Sequence, residues 1–578
     1  MSTLNDSQKA MSGYPSIDRP WLKYYKKRPE DLVYPHKTLW QYAYDNNKDY
    51  PNDIVFQYFD RKISYKTFFE NVYKAAKAFA GMGVKEGDVV TIMSMHTPET
   101  IYTIYGLSYV GAVANLVYPT LTESELSKTL SDTNSKALFI LDAVYEKVFD
   151  FINKILIPVV ILSVDESMPF FIKNVYRLKK RGIISTIQSE ISYSDFLKKG
   201  DDVKEVLCST DSYSPAVIVY TSGTTGEPKG VEINSDSINN LAIQHMNGLV
   251  EVYRGCSMLF ILPPFIGFGM THLHIYISGG IKLFLHIDLN PCSVTKQLFK
   301  CKPYAFLTGP AFIPDFIKHK SGNLRNLKYF IGGGGVVTEQ QMSDINRLLG
   351  ESGSSALYSN GYGMTEACSS LSVNVNPLSK QESVGLPWLD TNVKIINPEN
   401  GHELKYGEVG ELWFSTSNLM LGYYNDEKST KEILVTDQYG KRWLRTGDLG
   451  TVDEDGYIFI KGRIKRIYIT RGRDGLACKL FPQHIENVFM NRDDVCECAV
   501  IVREDDEKMN VAIAFIEVKG KCTSKDELIK NLFDFAQDKL PEYMKPSEIH
   551  IIDKMPITPN GKINYRELEK EMKSYGNV

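Results

Sequence analysis

From Tyr65 to Met82 (YKTFFENVYKAAKAFAGM) apolar positions recur at helical spacing and the run ends among glycines, which predicts an amphipathic helix. VVTIMSM (89–95) then reads as a buried strand, Thr97 to Val110 as a second helix, and AVANLVY (112–118) as a further strand. Strands alternating with helices at this spacing predict a parallel sheet covered on both faces. The same alternation returns between residues 214 and 372. From about residue 378 to 463 the texture changes to short strands between Gly and Pro turns, including GELWFS (410–415) and GYIFIKG (456–462), which predicts a small β-rich subdomain. Mixed patterning closes the chain. VCECAVIVR (495–503) and VAIAFIEVK (511–519) read as strands, and Thr523 is expected to cap a helix through Leu540, with Asp526 at the reciprocal capping position. No fixed-period repeat is present.

At 578 residues the chain has room for about four folding units. Hydrophobic residues make up 43% and charged residues 24%, which excludes a disordered chain. The balance of 66 Lys plus Arg against 70 Asp plus Glu gives a net charge of -4 and no global reason to expect nucleic acid as a partner. The nine cysteines (208, 256, 292, 301, 368, 478, 496, 498 and 522) are odd in number and scattered, unlike a disulfide framework. Cys496 and Cys498 have no second pair at zinc-ligand spacing and are expected to pack as strand residues on one face. The opening MSTLNDSQKA lacks a signal-peptide pattern, and the apolar stretch ILIPVVILS (155–163) is too short to span a bilayer. The expectation is a reduced, cytoplasmic, stand-alone protein.

The most informative stretch is YTSGTTGEPKG (220–230), directly after the apolar run AVIVY (216–220). Glycines let a backbone turn tightly and aim several N–H groups at one point. The hydroxyls of Thr221, Ser222, Thr224 and Thr225 add donors, and Lys229 adds a cation. With Gly223 and Gly226 this composition suits a polyphosphate. The spacing is not that of the Walker loop.

Four further segments follow in order: NGYGMTE (360–366), WLRTGDLG (443–450), GRIKR (462–466) and PNGKIN (559–564). Together with the loop they resemble the adenylate-forming superfamily, which includes acyl-CoA synthetases, aryl-CoA ligases, luciferases and peptide-synthetase adenylation domains. The resemblance covers roughly residues 50–570. It implies an α/β fold: a large N-terminal domain, 1–464, of two doubly wound α/β subdomains plus the β-rich subdomain, then a smaller mobile α+β C-terminal domain, 465–578. It also implies an acid:CoA ligase that joins a carboxylate to the α-phosphate of ATP, releases pyrophosphate and passes the acyl group to a thiol. Two unit charges about 4 Å apart repel by roughly 4 kcal/mol at an effective dielectric near 20, so such a site needs cations and donors in place beforehand.

By the same resemblance the 221–230 loop closes on the β- and γ-phosphates, and Gly334, Asn360, Gly361 and Gly363 line the nucleotide site. Tyr362 lies along adenine, Thr365 bonds the α-phosphate, and Glu366 holds Mg²⁺. Asp448 accepts from the ribose hydroxyls, Arg463 contacts the ribose or phosphate region, and Lys562 bridges carboxylate and α-phosphate. Lys465 is the expected pivot on which the C-terminal domain rotates between half-reactions, excluding water from a hydrolysable anhydride.

Some positions depart from the family pattern. Gly462 stands where many relatives have Asp, and GRDGLACKLFP (472–482) is longer than the usual loop near the thiol channel. That leaves the acceptor open between CoA and a separate carrier protein; Cys478 within it is expected to be an ordinary loop thiol. The acid pocket is expected from Phe265, Ile266 and Phe268, with Gly333 and Gly335 in the glycine run 332–335. No acid stands near 265 to pair an ammonium, whose unpaired burial is costly, and no His stands at 266. The apolar remainder favours a fatty-acid-like substrate, with the glycines either opening a channel or serving a turn. The run MPFFIKNVYRLKKR (168–181) has five basic residues and no acid. It is expected to pack as a surface helix, with weak contact to a membrane surface as the alternative. His272 and His274 read as core residues rather than metal ligands.

Overall fold

The computed structural model describes residues 11–145, 148–152, 154–179, 191–221, 228–335, 337–466, 468–471, 477–505, 507–520, 524–558 and 562–575. The predicted helix spans Tyr65–Gly81, capped by Ser64, whose side chain accepts from the Thr67 amide. Its neighbour, Pro98–Val110, starts on a Thr97 cap with Pro at the first position and stops at Gly111 in the left-handed region (φ 76°). These helices pack so closely that a Cβ on Gly106 would sit 2.9 Å from that of Ala75.

Strands Val89–Met93, Val113–Leu116, Leu138–Leu141, Val159–Leu162, Ile191–Ser192 and Pro215–Thr221 form the parallel body of an eight-stranded sheet. Lys229–Asn234 and Gly422–Tyr423 extend it antiparallel. A nine-stranded sheet has a parallel centre built from Ile54–Tyr58, Lys282–Leu285, Ser257–Phe260, Ala305–Thr308, Tyr329–Gly332 and Tyr358–Tyr362. These are the two doubly wound subdomains. The β-rich region is a six-stranded antiparallel sheet in which Gly410–Ser415, Arg442–Val452 and Ile458–Arg463 lie side by side.

The smaller C-terminal domain holds a three-stranded sheet of Val495–Asp505, Met509–Val518 and Glu548–Ile552. Alternation along the two longer strands explains why their central stretches are apolar on both faces. Val500, Ala512, Ala514 and Ile516 face the helices Pro482–Met490 and Lys525–Lys539, while Ala499, Ile501, Ile513 and Phe515 pack with Leu568 of the helix Tyr565–Tyr575. Cys498 is buried and Cys496 half-buried in that sheet.

Two local expectations are corrected. The helix Lys525–Lys539 is capped by Ser524, whose hydroxyl accepts from the Glu527 amide; Thr523 lies outside the described residues. Cys478 is not on a loop but in the strand Ala477–Leu480, paired with Thr470. His272 and His274 are buried in the core. The His274 ring bonds the Tyr105 hydroxyl and Asn239, each at 2.8 Å, and burial lowers the pKa of His272 to about 4 and of His274 to about 3. Among the described residues no helix is long and apolar enough to cross a membrane.

Candidate active site

Thr221 ends one strand and Lys229 begins the next, and the two pair directly across an antiparallel hairpin. Ser222, Gly223, Thr224, Thr225 and Gly226 lie outside the described residues. Lys229 is anchored at the hairpin base: its ammonium donates to the Ser429 hydroxyl, lies 3.3 Å from Asp426 and sits 4.9 Å from the centre of the Tyr423 ring. Tyr423 in turn donates its hydroxyl to Glu366 Oε1 at 2.7 Å. A continuous chain of contacts therefore runs from the foot of the 221–229 hairpin to Glu366. Tyr423, Asp426 and Ser429 are the members that sequence reading did not single out. Nothing in their local pattern marks them; they reach the site because Gly422–Tyr423 pairs with Lys229–Asn234.

Thr365 and Glu366 occupy a short 3₁₀ turn, Thr365–Ala367, just beyond the strand Tyr358–Tyr362. The turn folds back tightly: a Cβ on Gly363 would lie 2.2 Å from the Ser369 carbonyl oxygen. The Met420 amide donates to the Glu366 carbonyl at 2.9 Å, and the Asn418 side chain to the Ala367 carbonyl at 2.7 Å. Gly361 lies against the Ser372 carbonyl, where a Cβ would come to 3.0 Å. The Asn360 side chain is committed to the framework, donating to the Ser383 carbonyl and accepting from Asn374.

The expected pocket segments meet this turn. Gly267, next to Ile266, is so close to Thr365 that a Cβ would come within 2.8 Å of its methyl group. Phe268 faces Gly333, its ring edge 3.6 Å from where a Cβ would stand. Phe265 is buried against Tyr118, ring centres 4.9 Å apart. The glycines of 332–335 do different things. Gly332 and Gly335 permit close packing, since added Cβ atoms would lie 2.0 Å from the Tyr358 hydroxyl and 2.6 Å from Pro310. Gly334 turns the chain at φ 82° with open space beside it.

Asp448 lies opposite Arg463 in the antiparallel register. Its buried carboxylate accepts from the Arg463 guanidinium at 2.6 Å and from the Tyr362 hydroxyl. Burial pushes the Asp448 pKa up, and Arg463 and Tyr362 oppose that shift. Glu411 secures the same bend, accepting from the Gly447 amide at 3.1 Å and the Trp413 ring N–H at 2.8 Å. Three residues along the chain, allegiance changes. Arg466 binds the buried Glu486 at 2.7 Å, the Val500 carbonyl at 2.9 Å and the Tyr565 hydroxyl at 3.0 Å, all in the C-terminal domain. Lys465 lies between these two clamps in the 3₁₀ turn Ile464–Arg466.

Lys562 reaches this constellation from the C-terminal domain. Its backbone is tied to Thr558, whose amide donates to the Lys562 carbonyl at 2.7 Å. The side chain keeps solvent contact, yet its ammonium is surrounded closely enough that burial, then the Arg463 charge, lower its pKa below the ordinary lysine value. Glu366 and Asp448 act on it in the opposite direction. Lys562 thus lies within electrostatic reach of both carboxylates.

The sequence profile of AMP-binding enzymes matches residues 44–424. The chain belongs to the AMP-binding enzyme family. The profile of the AMP-binding enzyme C-terminal domain matches residues 484–562. A long-chain-fatty-acid–CoA ligase of Bacillus subtilis (strain 168) is 26% identical over 96% of this chain and 98% of its own length. A probable 4-coumarate–CoA ligase 3 of Dictyostelium discoideum is also 26% identical, over 96% and 98%. Among solved structures, the anthranilate CoA ligase AuaEII in complex with anthranoyl-AMP superposes with a TM-score of 0.79 at 20% identity, covering 96% of this chain and 100% of that one, a likeness of fold. The protein is therefore an adenylate-forming enzyme.

The residues present suit the nucleotide and metal expected of this family. Glu366 offers one buried carboxylate, and among the described residues no group of three or more His, Cys, Asp and Glu could hold a metal alone. A single hard oxygen ligand suits Mg²⁺ that arrives already coordinated by phosphates.

Proposed function

We propose that the enzyme activates a fatty-acid-like aliphatic carboxylic acid and transfers the acyl group to CoA. A carboxylate oxygen attacks the α-phosphorus of ATP, the bond to the bridging oxygen breaks, and pyrophosphate leaves. The thiol sulfur then attacks the acyl carbonyl and AMP departs. In the first step Lys562 lies between the incoming carboxylate and the α-phosphate, lowering their repulsion, while Thr365 donates to an α-phosphate oxygen. Glu366 would hold Mg²⁺, which when bound would neutralise charge on the phosphates. Asp448 fixes the ribose once Tyr362 and Arg463 yield part of its carboxylate, with Tyr362 turning its ring to adenine. The hairpin from Thr221 to Lys229 closes over the outer phosphates.

One observation carries this reading: the buried Asp448 carboxylate, held by Arg463 and Tyr362, lies on the chain segment facing the turn of Thr365 and Glu366, where Tyr423 donates to Glu366. For the second step the C-terminal domain turns about Lys465, between the Arg463–Asp448 clamp and the Arg466–Glu486 clamp, and withdraws Lys562. Phe265, Ile266 and Phe268, with Gly333 opposite, supply apolar walls and no counter-charge for an ammonium. The aliphatic preference rests on these walls and on the long-chain relative.

The test is acid-dependent pyrophosphate release with C2 to C18 fatty acids, aryl acids and amino acids, with and without CoA. Repeated turnover on a fatty acid only when CoA is present is the expected result. Adenylate formed with no stimulation by CoA would move the acceptor to a carrier protein, and a maximum on aryl acids would overturn the aliphatic assignment.

A further inference from the structure

Helix Phe170–Lys179 presents a face that nothing in the catalytic reading uses. Its inner side is accounted for: Ile172 and Tyr176 pack against the core, and Lys173 lies 3.5 Å from Glu166. Its outer side is not. Phe170 is 74% exposed, Phe171 84% and Val175 54%, and the two phenyl rings stand edge to face with centres 6.2 Å apart. Two aromatic side chains left in water beside each other are unusual on a chain that buries the rings of Phe56, Phe68, Phe79, Phe139 and Phe196 completely. The helix also carries Lys173, Arg177 and Lys179 and no acid, and the next acid along the chain is Glu190.

We propose that this helix is an interfacial anchor for an anionic lipid surface. Exposed aromatics that can enter the headgroup–acyl boundary, on a helix whose only charges are positive, match the two attractions such a surface offers. Charge decides the occupant. A second copy of this chain brings a helix of the same net positive charge and repels, whereas an anionic bilayer attracts it. The helix sits on the first doubly wound subdomain, after the strand Val159–Leu162, and includes none of the residues around Glu366, Asp448 and Lys562. The proposal is independent of which acid the enzyme activates.

The experiment is flotation of the full-length protein with vesicles of phosphatidylcholine alone and with about a third phosphatidylglycerol, at low and high salt, alongside sedimentation without lipid. The wild type is expected to float with the anionic vesicles, weakly with the neutral ones, and less at high salt. Phe170→Ser with Phe171→Ser is expected to lower the partition coefficient at least about tenfold, since each buried phenyl group contributes strongly to transfer from water. Arg177→Gln with Lys179→Gln should lower it about tenfold or more on anionic vesicles and leave neutral ones unaffected. Pyrophosphate release in solution should be unchanged in both variants, which shows that they fold. Failure of the wild type to float with anionic vesicles overturns the proposal, as does equal flotation by the double Phe variant. A lipid-free dimer that the Phe substitutions dissociate would overturn it in favour of self-association.

Discussion

Removing one hydroxyl, by Tyr423→Phe, isolates the contact between the phosphate-loop hairpin and the proposed metal ligand. The Tyr423 hydroxyl donates to Glu366 Oε1 at 2.7 Å, and Glu366 is only 6% exposed. A hydrogen bond to a charged acceptor is worth about 1.5–3 kcal/mol, or roughly 10- to 150-fold. The half-buried Tyr423 lets water replace part of the lost donor, so the low end applies and we expect about a tenfold fall in adenylation kcat/KM. The substitution is clean. Phenylalanine keeps the ring beneath Lys229, and the Lys229 contacts to Asp426 and Ser429 do not involve the hydroxyl. Pyrophosphate release measured against Mg²⁺ concentration is the assay. The half-saturating Mg²⁺ should rise, because Glu366 loses the donor that orients it, while thioester formation from pre-made acyl-adenylate should change less than about threefold. A Tyr423→Phe enzyme with wild-type rate and Mg²⁺ dependence would refute the claim that Tyr423 orients Glu366.

Two further substitutions probe the framework. Gly363→Ala forces a Cβ to 2.2 Å from the Ser369 carbonyl, so we expect about 2 kcal/mol of destabilisation and loss of adenylation, whereas Gly334→Ala meets open space and costs about 1 kcal/mol of backbone strain at φ 82°; urea unfolding with pyrophosphate release distinguishes them, and equal effects would contradict the packing argument. Glu99 is buried, accepts from Ser167 at 2.5 Å, and burial raises its pKa to about 7. A raised carboxyl pKa stabilises the fold fully below the unfolded value and loses that contribution as pH rises through about 7. Glu99→Gln should therefore be more stable than wild type at pH 8, by at most about 3 kcal/mol, and show a flatter stability–pH curve; a parallel curve would refute the burial argument.

The parallel subdomains were legible because strands such as Val89–Met93 are largely apolar, buried at every position, and alternate with capped helices. GELWFS matches the observed strand Gly410–Ser415 residue for residue. The helix start near 523 was missed by one residue because Thr523 and Ser524 are both good caps, and only the fold brings the Ser524 hydroxyl to the Glu527 amide. Within the site, the five motifs pointed to Glu366, Asp448, Arg463 and Lys562, which the fold gathers from four separate segments. Tyr423 and Glu486 were invisible. Tyr423 works through cross-strand pairing with a segment nearly two hundred residues earlier, and Glu486 through burial beneath Arg466 and Tyr565. Neither pairing leaves a local pattern. The run holding Phe170 and Phe171 was legible as a basic surface helix with membrane contact as the alternative; only the fold shows that both rings are exposed.

The most direct test of the account is acid-dependent pyrophosphate release by the wild type and by Lys562→Ala, with ATP binding measured in parallel by calorimetry. Wild-type protein should release pyrophosphate only when a carboxylic acid is present. The variant should lose at least about a hundredfold in that rate, because a cation acting on the transition state has gone, while ATP affinity changes only a few-fold. Unchanged pyrophosphate release from Lys562→Ala, or release that does not depend on acid, would contradict it.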